Sequence, residues 1–191
     1  MQYLKDLWAA LDLGSLEGIA LRLASVFLCL TIHESCHGLA AYALGDPTAK
    51  RAHRLSLNPL RHIDWIGFVM MIVAGFGWAK PVPVNPNYFR KPKQGMAVTA
   101  LAGPVSNVLL ALVFLFLYGL LYRALYSVQF LLDMIWLTAY ISLALAIFNI
   151  IPVSPLDGSK VLFALLPDAA YAKLMRYERY GMILLLSLIH I

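Results

Sequence analysis

Long apolar runs alternate with polar, proline-rich connectors along the chain. The first run covers about 19–44 and closes on Gly45-Asp46-Pro47, where a glycine and a proline end a helix. Two more, about 96–122 and 130–151, reach the ~20 residues that a helix needs to cross a bilayer. The run 65–79 (WIGFVMMIVAGFGWA) is shorter and carries three glycines, which predicts a re-entrant segment that enters and leaves on one side. In Lys80–Lys93 (KPVPVNPNYFRKPK) the prolines at 81, 83, 86 and 92 exclude a helix interior and a central strand, so an extended or β-hairpin connector is expected. A short helix is expected over 158–166. Residues 1–18 read as an interfacial segment, with Leu4, Leu7, Trp8 and Leu11 at helical spacing, ahead of one membrane-embedded core over 19–191. The closing run 182–191 would rise only ~15 Å as a helix, so the chain is expected to be cut short at its C-terminus. The pattern predicts an all-α polytopic membrane protein, a bundle of about 4–6 membrane-embedded helices with a re-entrant segment and an extended or β-hairpin connector.

Composition agrees. The 191 residues are 61% hydrophobic and 13% charged, with mean hydropathy +0.75, whereas soluble domains are about half apolar and a quarter charged. The net charge of +5 comes from basic residues clustered at 50–61, 80–93 and 160–179; the connector 123–129 carries only Arg123. All three clusters face the cytoplasm if 65–79 does not cross. They form no basic and aromatic groove, so nucleic acid is not an expected partner; the lipid bilayer is. Cys29 and Cys36 lie seven apart on one helix, too far to bond each other.

The chemistry is concentrated in His33-Glu34-Ser35-Cys36-His37, inside the first span. His33 and His37 fall one turn apart on one helix face. Two imidazoles so placed can hold a divalent metal, with Glu34 between them to activate water. The plainer alternative is a pair of buried histidines bonded to neighbouring helices, but ionisable residues are costly inside a bilayer and are functional by default. A catalytic zinc wants a third protein ligand. Cys29 shares the histidine face, yet three ligands in line on one helix do not surround an ion, and packing suits it better. His53 and His62 lie in a basic connector, where loop-bonding histidines are common. Asp157, in a proline-rich break after a span, reads equally as a ligand and as the cap of the helix that follows. Asn107 and Asn149 are amides in apolar helices, able to bond substrate backbone, a metal ligand or a neighbouring helix.

HESCH in a span, AGPVSN at 102–107 and NIIPVSPLDG at 149–158 together resemble the site-2 protease family of intramembrane zinc metalloproteases. LSLNPLRHID and FGWAKPVPVNP resemble its small prokaryotic members, which lack a PDZ domain. The likeness covers about 25–166. It implies one Zn²⁺ per chain held by His33, His37 and Asp157, Glu34 as catalytic acid/base, and Asn149 as a substrate-binding residue; Asn107 is a further candidate for substrate contact. It implies hydrolysis of peptide bonds in or near transmembrane helices of single-span membrane proteins, in a prokaryotic cell membrane; the loop charges place the site toward the cytoplasm. Trp65 stands where proline is expected after HID, and Ser35 and Cys36 fill a variable middle; neither touches a catalytic group. A metal transporter would want further ionisable residues along a path, and besides the two histidines only Glu34 lies well inside a span. A non-catalytic relative has no need of Glu34.

Overall fold

The computed structural model describes residues 16–74, 77–177 and 181. The interfacial segment expected over 1–18 and the apolar run 182–191 lie almost entirely outside them, as does the question of where the chain should end. Among the described residues there are seven α-helices and no strand. They are α1 (Leu16–Ala43), α2 (Thr48–Arg51), α3 (Trp65–Ala74), α4 (Pro92–Leu121), α5 (Gln129–Ile150), α6 (Asp157–Ala164) and α7 (Asp168–Tyr177). Among the described residues, α1, α4 and α5 are the helices long and apolar enough to cross a membrane. Gly45 ends α1 with a φ of 102°, a conformation that glycine adopts without strain, and Pro92 opens α4 at a position where its missing N–H costs nothing.

The three long helices pack on one another, and α6 docks on α4. Beside Leu132 and Ile135 on α5, their buried faces are mostly small or polar: Ser25 and Cys29 on α1, Ala100, Gly103, Asn107 and Ala111 on α4, Thr138, Ala139, Ser142 and Ala146 on α5. Large apolar side chains point outward instead, among them Leu109, Leu112 and Phe116 on α4 and Trp136, Tyr140 and Ile147 on α5. This inside-out distribution is how helices associate in lipid, where small residues allow close approach and interhelical hydrogen bonds hold the contact. Thr138 Oγ1 donates to Ser25 Oγ at 3.0 Å, and Ser142 Oγ donates to the Asn107 carbonyl at 2.8 Å. The expected membrane protein is what the chain builds.

The segment 65–79 returns to where it started. Lys80 N–H donates to His62 O at 2.9 Å, and Ile63 and Ala79 form an isolated antiparallel bridge. A Cβ at Gly67 would collide with the Trp78 carbonyl, and one at Gly77 with the Gly67 carbonyl, so both glycines permit the close return. Asp64 caps α3, accepting from Ile66 N at 3.0 Å and Gly67 N at 3.1 Å.

The proline-rich connector runs without regular structure over 81–85 and then makes a short 3-10 turn at Pro86–Tyr88, so the expected β-hairpin does not form among the described residues. Pro81 and Pro83 remove the donors that a ladder would need. Side chains hold the segment instead. The buried Arg54 guanidinium donates to Lys80 O and, at 3.4 Å, to Pro81 O; the buried Asp46 carboxylate accepts from Asn85 N at 2.7 Å. Desolvation pulls the Arg54 pKa below its usual value, partly offset by the charge of Glu34.

Candidate metal centre

The middle of α1 presents His33 and His37 to α4, as one-turn spacing requires. The break after α5 brings Asp157 opposite them, 124 residues from His33. Asp157 Oδ2 lies 3.1 Å from His33 Nε2 and 3.2 Å from His37 Nε2, and the two Nε2 atoms are 2.9 Å apart. One ligand atom from each residue falls within 4.8 Å of the others, and all three residues are buried. Asp157 makes no cap: α6 begins at Asp157 itself, with Leu156 before it and no side-chain cap bond. A Cβ at Gly158 would collide with the Ile150 carbonyl, so glycine there lets α6 start hard against the end of α5 and aims Asp157 inward.

The donor set suits a metal. Two imidazoles and a carboxylate are the protein ligands of an open catalytic zinc site, with the fourth position left for water. His37 Nδ1–H donates to Thr99 O at 2.7 Å. A carbonyl only accepts, so the Nδ1 proton is fixed and Nε2 keeps its lone pair for an ion. On the other ring, Asn107 Nδ2 sits 3.2 Å from His33 Nδ1.

Helix α4 carries the supports on one stripe, Thr99, Gly103 and Asn107. A Cβ at Gly103 would lie 2.5 Å from His37 Cε1 and 2.6 Å from His33 Cε1, so only glycine lets α4 close over both rings. Pro104, inside α4, lacks the N–H that would bond the Ala100 carbonyl, in the turn that supplies the Thr99 carbonyl.

Glu34 lies beside this triad. Its Oε2 accepts from Val82 N–H at 2.9 Å, which leaves Oε1 for chemistry. His33, Glu34, His37 and Asp157 line a cavity of about 360 Å³ walled by Pro81, Val82, Val84, Met96, Thr99, Ala100, Asn149, Pro155 and Lys160. Asn149 donates Nδ2 to Leu145 O at 2.9 Å and borders the cavity. Asn107 does not: it is fully buried behind His33, out of reach of a substrate in this arrangement. Lys160 stands 4.0 Å from Asp157 Oδ1, one turn along α6. Cys29 packs against Thr138 O at 3.6 Å, and His62 donates to Ser56 O at 2.8 Å; neither joins the triad.

Sequence reasoning missed Thr99, Val82, Arg54 and Lys160. Thr99 and Val82 act through backbone atoms, which leave no signature in residue type. Lys160 had a usable signal, its spacing of three from Asp157.

Residues 122–189, a stretch containing Asn149 and Asp157, match the model of peptidase family M50. The chain is 40% identical over 173 residues to the "Putative zinc metalloprotease YwhC" of Bacillus subtilis (strain 168), covering 86% of this chain and 77% of that protein. It is 24% identical over 191 residues to the "Putative zinc metalloprotease Rip2" of Mycolicibacterium smegmatis, covering 95% and 73%. With the "Putative zinc metalloprotease MJ0611" of Methanocaldococcus jannaschii it shares 36% identity over 100 residues, covering 51% and 49%. No solved structure gives a significant match.

Proposed function

This chain belongs to peptidase family M50 and is a membrane-embedded zinc metalloprotease, and from that premise we propose that it cleaves single-span membrane proteins within or beside their transmembrane helices. One observation carries the reading: an acid/base carboxylate and three convergent metal ligands share one cavity among helices of spanning length.

One zinc ion per chain would be held by His33, His37 and Asp157. Bound there, it would acidify water and polarise the scissile carbonyl. Glu34 Oε1 takes a proton from the attacking water and returns it to the leaving nitrogen. The Val82 N–H keeps the other oxygen occupied and the carboxylate in one orientation. A helical substrate hides its carbonyls in hydrogen bonds and must unwind to be cut. The extended segment 80–85 is suited to holding such an unwound stretch: no residue described here partners the Val84 N–H, and Val84 lines the cavity. Asn149 borders the same space, and its amide would bond substrate backbone there.

The cytoplasmic side is favoured for the site. The clasp between residues 62–63 and 79–80 means that 64–78 starts and ends together, which supports a single side for the basic clusters at 50–61 and 80–93. His37 then lies about 9 Å from the end of α1 nearest those clusters.

The test is zinc stoichiometry on purified protein, paired with cleavage of a panel of single-span substrates by wild type and Glu34→Gln. One zinc per chain in both proteins and cleavage by the wild type alone is expected. Cleavage by a zinc-loaded Glu34→Gln near the wild-type rate would remove Glu34 from the mechanism.

A further inference from the structure

The two histidines are supported unequally, and the difference points to a role for Asn107. His37 has its Nδ1 proton held by the Thr99 carbonyl. The Nδ1 of His33 faces the side-chain amide of Asn107 instead, with Nδ2 at 3.2 Å. Asn107 is fully buried, and its Oδ1 has no hydrogen-bond partner. A buried amide oxygen left unpaired is costly.

The two ends of an amide exchange by a half turn, and the neighbouring ring decides which end it faces. When His33 Nε2 gives its lone pair to an ion, the neutral ring carries its proton on Nδ1. That proton needs an acceptor, and the Asn107 oxygen is the group within reach after the half turn. When Nδ1 is bare, the amino group donates to it, as in the arrangement seen here. Each orientation leaves one end of the amide unpaired, so the ring's proton selects between them.

We infer that Asn107 is a positioning residue for the metal centre, which accepts the Nδ1 proton of His33 and so holds Nε2 ready for the ion. It does for His33 what the Thr99 carbonyl does for His37. The inference rests on the metalloprotease reading above. Asn107 takes no part in substrate binding on this view, because α4 and α5 seal it away from the cavity: Ser142 of α5 donates to its backbone carbonyl at 2.8 Å.

The experiment compares zinc dissociation constants, by chelator competition, for the full chain as wild type, Asn107→Leu and Asn107→Asp. Loss of the outer partner should weaken zinc binding about 10- to 100-fold in Asn107→Leu. Asn107→Asp, which keeps an acceptor at that place, should bind within about threefold of the wild type or tighter. Ring ¹⁵N spectra of the zinc-loaded wild type should show His33 protonated on Nδ1, a readout that needs no variant to fold. Asn107→Leu binding zinc as tightly as the wild type, or a His33 Nδ1 without a proton in the loaded wild type, would overturn the inference alone. A wild type that binds no zinc would remove the metal-centre reading itself, and this inference with it.

Discussion

Glu34 Oε2 accepts a 2.9 Å hydrogen bond from the backbone N–H of Val82, across 48 residues of sequence. The proline-rich connector thereby reaches the carboxylate proposed as the acid/base directly. A hydrogen bond to a charged acceptor contributes about 1.5–3 kcal/mol. Val82→Pro deletes the donor in a segment that is already extended. Turnover should fall about 10- to 100-fold with zinc content unchanged, measured on one purified preparation. Full activity in Val82→Pro would show that Glu34 needs no such tether.

Asp157→Asn tests the third ligand. The variant keeps the shape and removes the charge. Zinc affinity should drop by more than the about 10- to 100-fold that losing an outer partner causes, with helix content by circular dichroism unchanged. Chelation should lower the melting temperature of the wild type and leave that of Asp157→Asn nearly unmoved, since a ligand stabilises only the state that binds it.

Gly103→Ala tests the close approach of α4. The new methyl group would lie 2.5 Å from His37 Cε1 and 2.6 Å from His33 Cε1. Overpacking of this kind costs about 1–3 kcal/mol. Zinc affinity should fall with it, because both ligand rings must shift. An Ala variant with wild-type affinity would mean that α4 yields and the rings do not.

Much of this arrangement was legible in the chain. The spans, the stop at Gly45, the short return segment and the paired histidines on one helix face all follow from apolar length, glycine placement and helical spacing. Asp157 stayed ambiguous because a carboxylate at a helix start caps as readily as it ligates; only the fold shows it turned toward the histidines. Asn107 was visible as an amide in an apolar helix, yet spacing could not say whether it faced substrate or a ring. The connector's prolines permit a hairpin edge, but Arg54 and Asp46 hold the segment by side chains instead, and no residue pattern announces that.

Topology is open to labelling in a cysteine-free background, with single cysteines at Ala52, Asn87, Ser127 and Ala169. Ala52 and Asn87 lie on either side of the return segment, Ser127 joins α4 to α5, and Ala169 lies in α7; all four are exposed in the fold. Ala52, Asn87 and Ala169 should react only with a reagent that crosses the membrane, and Ser127 from outside. Labelling of Ala52 and Asn87 from opposite faces would make 65–79 a true crossing.

The clasp of Ile63 on Ala79 and His62 on Lys80 stands between the tip of the return segment and Val82. It works as a mechanical insulator. On one side of it lies the tip; on the other, the chain from Lys80 to the Val82 N–H that bonds Glu34. The pairing of His62 with Lys80 and the Val82 bond to Glu34 are thus set on the near side of the clasp, whatever sequence the tip carries.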